Sequence, residues 1–475
     1  MVRCVPDADL ILRSGCVVVP SGAIPADVVV RGGVIVDVAG HASADAAEVI
    51  DAGGTPVLPG AVDSHVHVNE PGRTDWEGFA TATRAAACGG VTTLVDMPLN
   101  SLPPTTTPDA LASKRAAAAS QIHVDVGFWG GLVPGDLGHL EALRAHGVVG
   151  FKVFLCDSGV DEYPPMDRRE LTEAMRRIAT LGGTLVVHAE DPDLLVAVQA
   201  SADPRSHRTW LASRPPEAEE AAVAWLGDAA AATGCRVHVL HVSAAEAAAQ
   251  IARAQSRGAT LTGETCPHYL ALADEELPAG ATPAKCAPPI RDAANRERLW
   301  RHLADGALTL VASDHSPCPP ALKHLDDGNM LAAWGGVSSL QVARSVLWTS
   351  ARARGHHLAQ LARWTSAEPA RLTGLQRKGR IQIGCDADLV LFEPDARVVV
   401  DARDLQHRHP ITPYDGATLE GRATQVWLRG QVVARDGEPV GAPQGHLLQP
   451  APPSGTRRQS AKPAGTPDAR PGVSR

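Results

Sequence analysis

Asp63-Ser64-His65-Val66-His67 places two imidazoles two residues apart after a short apolar run. Side chains at i and i+2 of an extended strand lie on one face, so His65 and His67 can both reach a single metal ion. Two core histidines satisfied by hydrogen bonds would give the same local pattern. Other chemistry-bearing residues bear on that choice. Lys152 sits between Gly150-Phe151 and Val153-Phe154-Leu155. A lone lysine there is costly to bury unless it is neutralised or paired, for instance with a neighbouring carboxylate. His188 closes Leu185-Val186-Val187, His241 closes the run from Val237 to Leu240, and Asp314 follows Leu310-Val311-Ala312-Ser313. Each residue is ambiguous alone. Four histidines, a lysine and an aspartate at five strand ends are hard to explain as packing, and point to a metal site. Imidazole and carboxylate donors suit zinc and other first-row divalent ions. A catalytic zinc keeps a position open for water. Four His and one Asp exceed what one such ion needs and match two, which at roughly 3.5–4 Å apart can share a hydroxide and polarise a carbonyl.

These residues need a scaffold that brings strand ends together. Between Val57 and Leu375, short β-branched runs alternate with Ala-rich amphipathic stretches, the pattern of parallel strands with crossover helices. Eight candidate strands run through Val62–His65, Thr92–Asp96, Val124–Phe128, Gly150–Phe154, Thr184–His188, Arg236–His241, Thr260–Glu264 and Leu308–Ala312. Eight such units predict a TIM (β/α)8 barrel, whose strand C-termini converge on one face. Ala8 to Pro56 and Gly384 to Glu438 read instead as short strands joined by turns such as Gly32-Gly33 and Arg429-Gly430. The expected class is therefore α/β: a barrel over residues 57–378, with a small β-sandwich built from residues 1–56 and 379–440. Residues 441–475, rich in Pro, Ser, Gly, Ala and Arg, read as a disordered tail.

The chain has 475 residues, 44% hydrophobic and 20% charged, with a net charge of −9. That charge argues against a nucleic-acid partner. No apolar run approaches a membrane span, and no signal peptide is evident at Met1 to Asp9. The 9 cysteines, from Cys4 to Cys385, contain no C-x-x-C pair, as in a reducing, cytoplasmic setting.

The run Asp63 to Gly72, D-S-H-V-H-V-N-E-P-G, resembles the opening motif of the cyclic amidohydrolases, the group of dihydroorotase, hydantoinase and allantoinase. The resemblance extends over about residues 5 to 440. It includes Gly150-Phe151-Lys152, Val187 to Glu190, His241-Val242-Ser243, Thr265 to Tyr269, Cys286 to Arg291 and Ala312 to Pro317. Within the group, Asn69 to Thr83 and Asp96 to Thr105 are similar to the allantoinase branch. The resemblance implies that His65, His67 and Asp314 hold one metal and that His188 and His241 hold the second. It also implies that Lys152, as a carbon dioxide-derived carbamate (N6-carboxylysine), bridges both. A bridging hydroxide would attack a ring amide, with Asp314 as general base and acid.

By the same resemblance, the backbone at Ala287 and Gly335 would contact the ring. Asn69 stands where dihydroorotase carries a carboxylate-binding Arg, so the expected substrate is allantoin. Dihydroorotase and hydantoinase (dihydropyrimidinase) are the rival activities. A non-catalytic structural relative would typically have lost ligands, whereas here every position is filled. A homotetramer is the assembly implied. Odd spacing from His241 turns His238 toward packing. His268 and His315 are candidates for orienting ligands, and Cys286 and Cys318 for packing.

Overall fold

The N-terminal β-branched runs form β1 (Ala8–Val19), β2 (Gly22–Arg31), β3 (Val34–Ala39), β4 (Ala46–Asp51) and β5 (Val57–Pro59). Gly32 and Gly33 make the turn between β2 and β3 at φ of 58° and 76°, a left-handed pair that glycine adopts without strain. The middle of the chain carries β6 (Ala61–Val66), β7 (Val91–Asp96), β8 (Asp125–Phe128), β9 (Gly130–Gly131), β10 (Phe151–Phe154), β11 (Thr184–His188), β12 (Arg236–Val239), β13 (Leu261–Thr265) and β14 (Leu310–Val311). The C-terminal part adds β15 (Leu389–Val399), β16 (Thr418–Leu428), β17 (Gln431–Arg435) and β18 (Glu438–Pro439). The computed structural model describes residues 7–40, 45–199 and 201–450.

Every pairing among the middle strands is parallel. β6-β7-β8 form one sheet, and β9 to β14 form a second in sequence order. Only Trp129 separates β8 from β9. Isolated parallel bridges join Val66 to His315 and His315 to Val337. Parallel pairing requires crossovers, and helices such as Arg168–Thr180, Pro216–Thr233 and Ala245–Ser256 supply them. Asp167 caps the first of these by accepting from the amides of Arg169 and Glu170, both at 2.8 Å. β6, β7, β8, β10 and β11 are buried along their whole length, as strands covered on both faces must be. The expected α/β class with parallel strands is thus present.

Both chain ends enter one nine-stranded sheet, ordered β18-β17-β16-β15-β5-β1-β2-β3 with β4 beside β1. The two ends join where β15 runs antiparallel to β5. Leu10, Leu12, Val28, Val30, Leu389 and Trp427 share a buried core there. No helix among the described residues is long and apolar enough to cross a membrane. The eight described cysteines are free thiols, and Cys4 lies outside the described residues.

The segment after Gly441 corrects the expectation of a disordered tail over its described part. Leu447 bridges Val126 in parallel. The amide of Val126 donates to the His446 carbonyl (2.9 Å), and that of Leu448 to the Val126 carbonyl (2.8 Å). Gly445 passes so close that a Cβ there would lie 2.1 Å from the Val124 carbonyl oxygen. Asp125 accepts from the His446 amide (2.7 Å), from Lys378 (2.6 Å) and from Arg429 (2.5 Å). Composition suggested too little apolar surface to offset ordering. It did not register that β8 leaves backbone groups open, which a short extended segment can pair. The rest of the expected tail, 451–475, lies outside the described residues.

A chain ending at Gly441 is therefore expected to melt lower than one ending at Pro450, by on the order of 5 °C, from the lost hydrogen bonds and the lost packing of Leu447 and Leu448 against the core. Equal melting temperatures in a side-by-side thermal scan would show that the docking contributes nothing.

Candidate metal centre

The parallel strands deliver their polar residues to one place. His65 is the penultimate residue of β6 and His67 follows its end. Lys152 lies in β10, His188 ends β11, His241 follows β12, and Asp314 follows β14. All six are buried. Two of them have left-handed backbones, His241 at φ 34° and Asp314 at φ 45°. Such a conformation is strained for a side chain with a Cβ and is kept only where its surroundings enforce it.

Asp314 Oδ1 lies 3.1 Å from His65 Nε2 and 3.4 Å from His67 Nε2. His188 Nδ1 and His241 Nε2 face each other at 3.1 Å. The rings of His65 and His241 are 5.3 Å apart, which joins the two groups. Lys152 Nζ sits 4.4 Å over the Phe154 ring, and Phe154 stacks on His188 at 4.6 Å. The buried Lys152 Nζ, His65 Nε2 and His241 Nδ1 lack a hydrogen-bond partner. Orphaned polar atoms at this depth are uncommon.

Electrostatics favour the donor forms a cation needs. Burial pulls His67 down to about 4, against the opposing pull of Asp314. Burial also lowers His188, partly offset by Glu190, and drives His241 well below the ordinary histidine value. Burial lowers Lys152 to about 7, with Asp314 and Glu264 resisting. Burial alone would raise the Asp314 carboxyl, but His65, His67 and His241 together hold it far below the ordinary value. Neutral imidazoles, an ionised carboxylate and an unpartnered amine are a donor set of the kind that suits a cation. His65, His67 and Asp314 also bring one donor atom each within 4.8 Å of one another. The residues fit divalent ions.

A second layer aims them. His65 Nδ1 lies 2.6 Å from Glu264 Oε1, leaving Nε2 to turn toward Asp314. His188 Nε2 lies 2.7 Å from Glu190 Oε2, and Arg214 donates to the same oxygen at 2.7 Å. This is the arrangement by which carboxylates orient metal-binding histidines. Burial would raise both carboxyls. His65 and His238 outweigh it at Glu264, His188 and Arg214 outweigh it at Glu190, and both stand at about 2. The sequence reading assigned no role to Glu264, Glu190 or Arg214. The available signal for Glu190 was its place two residues after His188, and for Glu264 its place at the end of a candidate strand.

His238 is held by Thr262 (2.7 Å) and Glu264 (3.1 Å), away from the cavity wall. His315 Nδ1 accepts the amides of Ser339 and Leu340 at 3.1 and 3.3 Å, which anchors the residue next to Asp314. His268 is buried with neither ring nitrogen bonded, and can bring a donor atom near Cys266 and Asp314.

A cavity of about 90 Å³ opens on His67, Lys152, His188, His241 and Asp314. Ala287 and Gly335 line it, and so does Cys286. Asn69 does not. Its side chain is fully buried and donates to the Pro317 carbonyl at 3.3 Å. Its backbone turns left-handed at φ 67°, a bend that strand periodicity from His65 and His67 cannot foresee. The asparagine on the wall is Asn100.

Comparison with known proteins places similar chains beside this one. A model described as "Amidohydrolase family" matches residues 57–433. An allantoinase of Streptomyces avermitilis is 51% identical over 94% of this chain and 100% of its own length. An allantoinase of Arabidopsis thaliana is 42% identical over 90% of this chain and 88% of its own. Among solved structures, an L-hydantoinase (dihydropyrimidinase) from Arthrobacter aurescens superposes with a TM-score of 0.89 at 32% identity, covering 93% of this chain and all of the other. A dihydropyrimidinase from Brevibacillus agri gives 0.85 at 32%, covering 93% and 98%.

Glu264→Gln keeps the shape of the second layer but removes its charge. We expect divalent-metal affinity to fall about 10–100-fold, the usual consequence of losing such an orienting group. Dialysis against graded chelator reads this directly, and wild-type retention would take Glu264 out of that role.

Proposed function

The chain belongs to the amidohydrolase family, and on that premise we propose that it hydrolyses the cyclic amide bond of allantoin to give allantoate, a step of purine (ureide) breakdown. The observation that carries this reading is the convergence of four histidines, an ionised aspartate and an unpartnered lysine around one small cavity. In this reading β6 to β14 make a (β/α)8 barrel within residues 57–378, with β8 and β9 as two halves of its third strand. The nine-stranded sheet, whose strands lie within residues 8–59 and 389–439, is its sandwich companion.

His65, His67 and Asp314 would hold one ion and His188 and His241 the other. Lys152 would ligate both after its neutral amine adds carbon dioxide and releases a proton, becoming an anionic carbamate. The unpartnered Nζ and its fall toward about 7 favour that reaction. When bound, the two ions, zinc in this proposal, would activate water and polarise the ring carbonyl. Asp314 takes the proton from the attacking water and delivers it to the ring nitrogen as the C–N bond breaks. Glu264 and Glu190 keep the imidazoles aimed throughout. Ala287 and Gly335 present backbone groups to the ring amide. The burial of the set excludes bulk water, which strengthens each of these interactions.

The cavity wall also favours a neutral substrate. Lys152, committed to the donor set, is the one lysine or arginine among the lining residues. A dihydroorotate carboxylate would be buried there without a free cationic partner, which is strongly disfavoured. The hydantoinase-like fold keeps hydantoin and dihydrouracil as a second reading. A cytoplasmic homotetramer belongs to the same proposal, and the free thiols suit a reducing compartment.

Purified, metal-loaded protein assayed in parallel on allantoin, dihydroorotate, hydantoin and dihydrouracil should show by far the largest kcat/KM on allantoin, with allantoate as product. Faster turnover of another ring would reassign the substrate. Two variants separate the residue roles. Lys152→Ala should lose metal and activity together. Asp314→Asn can still offer an oxygen but no base, so it should retain at least part of the metal and lose about 10²–10⁴ in rate. An Asn variant within a few-fold of wild type would remove Asp314 from proton transfer.

A further inference from the structure

Two buried lysines outside the donor set converge on one wall of the cavity. Lys285 directly precedes Cys286, and Lys323 ends the helical turn Pro320–Lys323. Both are almost fully buried. The charged and titratable groups acting on them are Lys323 and Arg214 on Lys285, and Cys318 and Cys286 on Lys323, with no carboxylate among them. Their ammonium groups bond to backbone oxygens of a single segment, residues 331–336. Lys285 Nζ donates to the carbonyls of Leu331 (2.9 Å) and Ala333 (2.6 Å). Lys323 Nζ donates to those of Trp334 (2.8 Å) and Gly336 (2.6 Å). Two amides return the bonds, Trp334 to the Leu322 carbonyl and Gly336 to the Lys285 carbonyl, both at 2.7 Å. The Trp210 ring supports the Lys285 ammonium from 4.3 Å, and its indole N–H donates to the Cys286 carbonyl at 2.8 Å.

The segment so held faces the donor set. Trp334, Gly335 and Gly336 line the cavity that Lys152, His188, His241 and Asp314 also line. A Cβ on Gly335 would meet nothing within 4 Å, so the segment presents bare backbone there. Gly336, at φ 154°, is packed so closely that a Cβ would lie 2.1 Å from the Ser316 carbonyl oxygen. Trp334 meets Trp76 edge-on at 4.8 Å, and its buried Nε1 has no hydrogen-bond partner.

Burying an ammonium without a counter-charge is costly, and burial pulls both lysines down to about 8. An apolar side chain would fill either place more cheaply. What it could not do is satisfy paired carbonyls, because an ammonium offers three donors and no acceptor. Both costly groups act on the same six residues.

We propose that Lys285 and Lys323 are positioning residues for substrate recognition, pinning segment 331–336 so that the Trp334 indole and the Gly335 backbone stand at a fixed place opposite the metal-ligating residues. This rests on the small-cyclic-amide reading of the cavity. The substrate contacts would be made by Trp334 and Gly335, and the lysines act through them.

The test uses the full, metal-loaded chain with Lys285→Met, Lys323→Met and both together. Hydrogen exchange at the amides of Trp334 and Gly336 should speed up about tenfold or more, with β10 and β11 amides unchanged. KM for allantoin should rise about tenfold or more, kcat should fall less, and bound metal should stay at the wild-type level. The double variant should cost less than the product of the singles, because both pins restrain one segment. Wild-type exchange, wild-type KM, or a fall in kcat accompanied by metal loss would each overturn the proposal. Lys323→Gln, which keeps two donors on a shorter stem, serves where Met prevents folding. It should move exchange and KM the same way to a smaller extent, and no change in either would be equally fatal. If wild type prefers another ring of the substrate panel, KM is read on that ring. Exchange, which needs no substrate, distinguishes failure of the pins from failure of the allantoin assignment.

Discussion

Asp314 Oδ1 lies between two imidazole nitrogens, at 3.1 and 3.4 Å, in a buried position at the cavity. Much of the molecule can be understood as the support that this placement demands. A carboxylate at that depth survives ionised only if positive or donor character surrounds it, so His65, His67 and His241 must converge on it from different strands. Convergence from different strands requires parallel strands with their C-termini together, and parallel strands require crossovers, which the helices between them supply. The imidazoles in turn need fixed tautomers. Glu264 and Glu190 supply them through short contacts to the ring nitrogens facing away from the cluster.

The parts of this arrangement readable from sequence are those governed by short-range period. His-x-His, and single polar residues closing apolar runs, follow from the two-residue repeat of a strand, and they located His65, His67, Lys152, His188, His241 and Asp314. The α/β class followed from the alternation of β-branched and Ala-rich segments. What escaped depends on long-range geometry. Asn69 lies two residues beyond His67, where period alone would aim it at the cavity, but a left-handed backbone takes it to the Pro317 carbonyl. Glu264 and His65 are 199 residues apart, and only the fold shows that they touch. The segment at Gly445 to Leu448 is compositionally poor, yet it finds unpaired backbone on β8. Disorder inferred from composition fails when the partner is another segment's backbone rather than a core.

Rigidity is distributed unevenly around the cavity, and the distribution follows the chemistry. The floor is strand ends, whose positions are set by sheet hydrogen bonds and a shared core. The opposing wall is loop, and loops do not hold an ångström-scale position without help. Here the help is polar contact: the buried Lys285 and Lys323 ammonium groups on segment 331–336, and the half-buried Arg73 joining the Asn100 carbonyl (2.8 Å), Glu162 (2.6 Å) and the Trp76 ring. The backbone strain at His241 and Asp314 belongs to the same logic. A left-handed turn just past a strand swings the side chain off the strand's own alternation and into the centre, at an energetic cost that the neighbouring contacts must offset. His315 supplies one such contact, its ring fixed by the amides of Ser339 and Leu340 directly beside the strained residue. A hydrolase acting on a small, nearly planar ring has few substrate atoms to grip, so it gains little from induced closure and much from walls already in place. The fold meets that need by making both sides of the cavity stiff before substrate arrives.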